Sequence, residues 1–275
     1  MLATKLKVWM LGLLAVLLLG SYTAVPASAN PGPFCHHRAI GSEGDDGKIS
    51  AQTPEQFAGS GGEQKLIGKM AGTEFEITAP AVQVKGIIYN NALQCQAKVE
   101  LKYQEVKLVK PVVAGCTVTV GTIGENTVRV AGHQAWTYAE LAGELTEQPQ
   151  ARQKPDWIFL PAELAEGVKE LPKESFTTIN FGSKCGVFSL LKIKVNGSVG
   201  AESKPEKVGI WSTNETVTST KGEQKQHFWN GTEYVPVITG LIVGTEGASY
   251  IGSFTVKTIG RQQLPAQEIA HFEGP

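Results

Sequence analysis

Two adjacent histidines beside a cysteine form the sharpest cluster of chemistry-bearing residues in the 275-residue sequence. His36 and His37 follow Cys35, and Asp45 comes nine positions after His36. Imidazole nitrogens and carboxylate oxygens together suit zinc or copper. Because neighbouring side chains of an extended segment point to opposite sides, both histidines reach one ion only where the backbone turns. His36, His37 and Asp45 are therefore candidate metal ligands, against the alternative of a solvated polar arm near a disulfide.

Tryptophans are the second group that could bind a ligand. On an exposed sheet face their rings would stack against sugars or aromatic molecules. Packing in the protein core is the alternative. We take Trp157, Trp229 and Trp136 as candidate ligand-binding residues, and exposure of the first two is the observation that would support this role.

No catalytic or cofactor motif stands out. The sequence has no HExxH metal site, phosphate loop, dinucleotide fingerprint or EF-hand loop. Single histidines beside aromatic residues, such as His133 and His227, are more typical of packed structural positions than of catalytic bases. The two carboxylates of a glycosidase are brought together only by the fold, so the sequence does not exclude them. We expect no catalytic residue and no cofactor.

The four cysteines are Cys35, Cys95, Cys116 and Cys185. An even number in an exported chain favours disulfide bonds, and four cysteines allow three pairings. Strand alternation places Cys95, Cys116 and Cys185 on inward faces. We favour Cys116 with Cys185 and Cys35 with Cys95, while the other pairings and free buried thiols stay open.

The first 29 residues have the three-part layout of a secretory signal peptide. Lys5 and Lys7 precede an apolar run from Val8 to Gly20, and Ala27-Ser28-Ala29 is a small-x-small processing site. The run has 13 residues, whereas about 20 are needed to cross a bilayer core. We expect cleavage after Ala29, a secreted protein of the extracellular space or cell envelope, and no membrane insertion after processing.

Charge is balanced, with 25 Lys and Arg against 26 Asp and Glu. Lys and Glu alternate along the chain, which argues against nucleic acid and against an anionic membrane surface as partners. Apolar residues make up 41% of the chain, enough to predict a folded globule. The sequence leaves the oligomeric state unknown.

The periodicity of the sequence predicts its elements. Residues 30–63 are rich in Gly, Ser, Asp and Glu without a sustained period, and we expect an irregular N-terminal arm there. From residue 64 to residue 275, apolar and polar residues alternate, as in Cys95–Tyr103, which is typical of an antiparallel sheet with one dry and one wet face. A subdivision of this β domain near residues 145–175 is conceivable.

Two further signals complete the predicted fold. Asn196-Gly197 and Asn230-Gly231 are typical hairpin turns. Apolar residues at helical spacing after Pro161 predict one short helix over residues 161–170. The sequence therefore predicts a mainly β fold, an antiparallel β-sandwich or barrel with one short helix.

Four segments carry a resemblance to a known group of proteins. They are PFCHHR (33–38), KGIIYNNAL (85–93), PDWIF (155–159) and QHFWNG (226–231). They resemble a paralogue-rich family of secreted actinobacterial proteins of unknown function, over nearly all of the chain after residue 29. The resemblance implies export and a β-rich fold, and it supplies no activity, substrate or catalytic residue.

These observations favour a secreted, non-enzymatic surface or matrix component with a binding role, acting on an extracellular ligand or surface component that the sequence does not identify. A small-molecule or carbohydrate carrier that uses exposed tryptophans is the first alternative. A metal-dependent hydrolase or a glycosidase is the second.

Overall fold

A computed structural model describes residues 35–39, 51–91, 94–121, 125–137, 154–164, 167–205, 214–230, 232–260 and 268–272. These residues belong to one compact unit, Gly32–Pro275. The fold is mainly β and antiparallel, as the sequence predicts. None of the helical structure in the described ranges is long and apolar enough to cross a membrane.

The described residues form nineteen strands and one 3-10 turn, Gly186–Phe188. The strands are β1 (Cys35–Ala39), β2 (Glu55–Gly61), β3 (Gln64–Met70), β4 (Thr73–Ala79), β5 (Ala81–Asn90), β6 (Cys95–Gln104), β7 (Lys107–Lys110), β8 (Val118–Val120), β9 (Thr127–Thr137), β10 (Lys154–Leu160), β11 (Ser175–Phe181), β12 (Lys192–Gly197), β13 (Val199–Pro205), β14 (Asn214–Ser219), β15 (Gln224–Trp229), β16 (Tyr234–Thr239), β17 (Leu241–Val243), β18 (Glu246–Gly260) and β19 (Glu268–Phe272).

Eight strands close into a barrel. The ring runs β9, β10, β13, β14, β18, β2, β5 and β6, and β6 pairs with β9 again. A second antiparallel sheet has the strand order β8, β11, β12, β17, β18, β3, β4 and β7. The long strand β18 belongs both to the ring and to this second sheet. We call the end at the β5–β6 connection the upper end of the barrel and the opposite end the lower end.

The barrel begins earlier in the chain than predicted, because β2 lies within the arm expected to be irregular over residues 30–63. The glycines of β2 are required because β2 and β18 approach each other closely. A Cβ on Gly59 would lie 2.0 Å from the carbonyl oxygen of Thr255, and one on Gly61 would lie 2.2 Å from that of Ser253. A Gly-rich composition that is typical of a loop therefore belongs here to a strand packed tightly against β18.

The short helix predicted over residues 161–170 is wrong for the part that the structure describes. Residues 161–164 and 167–170 have no helical structure. Gly167 has a φ of 75°, in the left-handed region, and its N–H donates to the carbonyl oxygen of Asn230 over 3.0 Å. Leu164 and Val168 pack on a small outer core between β10 and the β15–β16 hairpin. Their helical spacing reflects this contact.

One of the two predicted hairpin turns is confirmed. β15 and β16 pair as a hairpin that turns after Trp229, with Trp229 opposite Tyr234. The prediction at Asn196-Gly197 is wrong, because β12 and β13 pair with other strands. Gly197 has a φ of 108°, and the chain passes at this residue from the second sheet into the ring.

The disulfide between Cys116 and Cys185 is confirmed; it joins two loops at the lower end of the barrel. Cys95 is also disulfide-bonded. The side chain of Cys35 lies outside the described residues, so its pairing with Cys95 stays a prediction.

Candidate functional site

A groove of about 710 Å³ lies on the outer wall of the barrel. Its floor crosses β2, β5, β6 and β9, residues 161–163 form one side, and Ile259 lies on its lining. Ligand pockets in proteins usually enclose about 300 to 1,000 Å³. The groove is therefore large enough for a small organic molecule or a short chain segment.

Strand register builds the floor of the groove from two rows of outward side chains. In the first row, Lys85 pairs with Glu100, and Glu100 pairs with Arg129. In the second row, Ile87 pairs with Lys98, and Lys98 pairs with Ala131. Because alternate residues of a strand face the same side, the strand register places the charged first row beside the largely apolar second row.

Glu100 is held between two cations. Lys85 Nζ lies 2.9 Å from Glu100 Oε1, and Arg129 Nε lies 2.8 Å from Glu100 Oε2. Hydrogen bonds from Lys85 and Arg129 hold the pKa of Glu100 below its usual range. Among the described residues, Arg129 pairs with Glu100 alone and through Nε, so its two terminal nitrogens are available to an anionic group.

Glu163 fixes the side of the groove to the barrel. Its Oε1 lies 2.9 Å from Lys98 Nζ and accepts a hydrogen bond of 2.8 Å from the Tyr89 hydroxyl. The hydrogen bond from Lys98 lowers the pKa of Glu163, and burial together with Glu163 raises the pKa of Tyr89. The segment after β10 is thereby tied to β5 and β6.

A buried histidine lies behind this side of the groove. His133 is fully buried, and the side-chain amides of Gln94 and Gln96 approach its Nδ1 at 3.2 and 3.3 Å. Amide nitrogens only donate, so Nδ1 accepts and the ring is neutral. Burial lowers the pKa of His133 to about 4. The two amides therefore contact a neutral, buried ring at Nδ1.

The barrel interior is largely filled. Its cavity between Tyr103, Phe176 and Tyr250 measures about 60 Å³, room for a few water molecules. Tyr250 donates a hydrogen bond of 2.6 Å to Gln64 Oε1, and the Tyr103 and Tyr250 hydroxyls lie 3.4 Å apart. This space is far below the volume of an ordinary ligand pocket.

The exposed tryptophan platform is not found at the two residues on which it depended. Trp157 and Trp229 are 5% and 8% exposed. Trp157 lies among the core residues of the barrel and donates its indole N–H to Glu215 Oε1 over 2.9 Å. Both rings are large apolar groups that the core buries. The side chain of Trp136 lies outside the described residues.

The predicted metal ligands fall outside the part whose side chains are described. Asp45 is not described, and of His36 and His37 only the backbone of β1 is. That strand pairs with β19, which places His36 opposite His271. Within the described residues, no three His, Cys, Asp or Glu side chains lie close enough to hold a metal ion.

The groove residues were missed because each charged one is typical of a solvated sheet face. Lys85, Glu100 and Arg129 come together only through pairing of three strands. One signal was present in the sequence. Ile87 falls on the outward face of β5, two residues after Lys85, where an apolar side chain gains nothing from solvation.

No protein-family model, curated protein or solved structure matches the chain. The resemblance to secreted actinobacterial proteins therefore stays a prediction from the four segments named above.

Proposed function

We propose that the chain is an exported, non-enzymatic binding protein of the cell envelope or extracellular space. Its ligand is an amphipathic anion, with an aliphatic body and a carboxylate or similar group, and it lies in the outer groove. The disulfide bond between Cys116 and Cys185 and the bonded Cys95 support export, because such bonds persist in oxidising compartments.

The observation that carries the proposal is an apolar surface beside an exposed guanidinium group that uses only its Nε in the ion pair with Glu100. Ile87, Ala131 and Ile259 supply aliphatic lining. Arg129 presents two terminal nitrogens, which bind carboxylates in a bidentate manner. The lining has three cations, Lys85, Lys98 and Arg129, against two carboxylates, Glu100 and Glu163, so its local charge favours an anion.

Competing locations are less suitable for this ligand. The barrel cavity of about 60 Å³ is too small for it. The two described candidate tryptophans are buried and offer no surface for stacking. The groove combines a ligand-sized volume with both apolar and charged groups.

Calorimetric titration with octanoate tests the proposal on the protein purified from a secreting host. Arg129→Gln removes the anion contact, and Ile259→Glu places a like charge on an apolar part of the lining. We expect each variant to weaken octanoate binding about tenfold or more, since a charge-assisted hydrogen bond contributes about 1.5 to 3 kcal/mol.

Two variants serve as matched controls. Ile238→Glu changes an isoleucine of similar exposure on β16, and Lys225→Gln removes a cation from β15; neither residue lines the groove. Both should bind octanoate like the unchanged protein. Equal weakening in controls and groove variants, or no binding by any of them, would count against the proposal.

A further inference from the structure

The lower end of the barrel exposes a concentration of apolar side chains. Loop 111–117 and loop 182–191, which we call the apolar tip, carry Val112, Val187, Leu190 and Leu191. These residues are 89%, 74%, 73% and 40% exposed. With Val109 on β7, they make up five of the eight large apolar residues that are exposed in the described part of the chain.

The two loops form one surface. The disulfide between Cys116 and Cys185 joins them with a Cα–Cα distance of 4.4 Å. The N–H of Gly182 donates to the carbonyl oxygen of Thr117 over 2.8 Å. A Cβ on Gly186 would lie 3.7 Å from Val113. The apolar side chains are therefore held together across two loops that are 69 residues apart in the sequence.

The tip is firmly anchored to the barrel. Phe188 is 1% exposed and stacks on Phe181, with ring centroids 5.2 Å apart, while its edge meets Phe75 at 6.5 Å. Burial of Phe188 leaves its neighbour Val187 on the outside. Leu190 has a φ of 60°, a region where glycine or asparagine is ordinarily found. The Leu190 side chain therefore neither favours this backbone conformation nor packs in the core.

The two loops of the tip contain no acidic residue. The sequence contains no Asp or Glu between Glu105 and Glu125, or between Glu174 and Glu202. Those intervals contain five lysines, including Lys184 in the tip and Lys192 next to it, and both of these are exposed. Lys110 is paired with Glu74 from β4. Apolar side chains surrounded by lysines complement the interface of an anionic bilayer, where the former enter the acyl boundary and the latter meet phosphates.

We infer that the apolar tip docks the exported protein onto an anionic lipid surface. Val112, Val187 and Leu190 enter the interface, and Lys184 and Lys192 contact headgroup phosphates. The protein lies on the membrane and does not cross it. The balanced charge of the whole chain hides this local arrangement, because the acids lie outside the two loops. This inference is independent of the groove.

Vesicle co-sedimentation tests the inference, with the exported protein purified from the medium of a secreting host and its N-terminus checked by mass spectrometry. Vesicles contain phosphatidylcholine alone or phosphatidylcholine with phosphatidylglycerol. The double variant Val187→Ser and Leu190→Asn removes apolar contacts while asparagine tolerates the positive φ. The matched control, Ile238→Ser with Ile242→Ser, removes exposed isoleucines that lie outside the tip.

We expect binding to the anionic vesicles only, weakened by salt and reduced about tenfold by the tip variant, with the control unchanged. Lys184→Gln with Lys192→Gln should reduce the salt dependence. Equal sedimentation of tip variant and control would overturn the inference, as would equal binding to neutral vesicles. Concentration-dependent dimers that the tip variant abolishes would also overturn it, since a second copy would then be the occupant.

Discussion

Lys98 Nζ lies 2.9 Å from Glu163 Oε1, and this ion pair joins the segment after β10 to the middle of β6. The same carboxylate oxygen accepts the Tyr89 hydroxyl from β5. One side of the groove is therefore held to two floor strands by a single side chain. We infer that the shape of the groove depends on this carboxylate.

Replacing Glu163 tests that dependence. Glu163→Ala should lower the free energy of unfolding by about 1 to 2 kcal/mol, because the hydroxyl of buried Tyr89 loses a charged acceptor while the exposed ion pair adds little. Glu233→Ala, which removes a comparable exposed pair with Lys169, should cost less than about 0.5 kcal/mol. Urea unfolding of both variants gives the comparison. Equal effects would show that Glu163 is an ordinary surface residue.

Buried His133 gives the fold a dependence on pH. Its pKa falls from 6.5 to about 4 in the folded protein, so between those values the unfolded chain binds more protons. Stability is therefore present above pH 6.5 and is lost as the pH drops towards about 4, by up to about 3 kcal/mol. His133→Gln should flatten this part of the unfolding profile.

His227→Gln is the matched measurement. Burial lowers the pKa of His227 to about 4 as well, so each single variant should remove a similar part of the acid-dependent decrease and the double variant should remove most of it. A full acid-dependent decrease that persists in His133→Gln would contradict the assignment of the effect to His133.

Substitution of a glycine in β2 tests how closely β18 approaches this strand. Gly59→Ala places a Cβ 2.0 Å from the Thr255 carbonyl oxygen, which forces two paired strands apart. We expect a loss of about 3 kcal/mol or more in stability. Gly62→Ala meets nothing within 4 Å and should stay within about 0.5 kcal/mol of the unchanged protein. Thermal unfolding distinguishes the two, and a tolerated Gly59→Ala would refute the tight packing.

The disulfide at the lower end should be a main source of stability. It closes a span of 69 residues, for which chain entropy gives about 4 kcal/mol. A variant with Cys116→Ser and Cys185→Ser should lose an amount of this order in denaturant unfolding under non-reducing conditions. A loss below about 1 kcal/mol would mean that the unfolded chain is already compact without the bond.

Much of the strand content follows from the sequence, because a half-buried strand imposes a period of two. Cys95–Tyr103 shows this alternation, and it lies within β6. Closure into a barrel does not follow, since ring neighbours such as β9 and β6 are set by long-range register. β2 was missed because Gly59 and Gly61 serve strand packing, and composition alone cannot distinguish that use of glycine from a turn.

Even less of the candidate site than of the fold could be predicted from the sequence. The aromatic residues singled out for binding, Trp157 and Trp229, fill cores, as large apolar rings usually do. The groove residues Lys85, Glu100 and Arg129 have ordinary sequence surroundings, and only three-strand pairing aligns them. A surface site on a sheet depends on the register between neighbouring strands. The residue pattern of a single strand does not determine that register.

The most direct test of the central claim is an amide chemical-shift map of the protein titrated with octanoate. We predict that the largest shifts fall on residues 85–87, 98–100 and 129–131, and that they disappear in Arg129→Gln. Shifts concentrated in loops 111–117 and 182–191, or no shift up to millimolar octanoate, would contradict a ligand site in the groove.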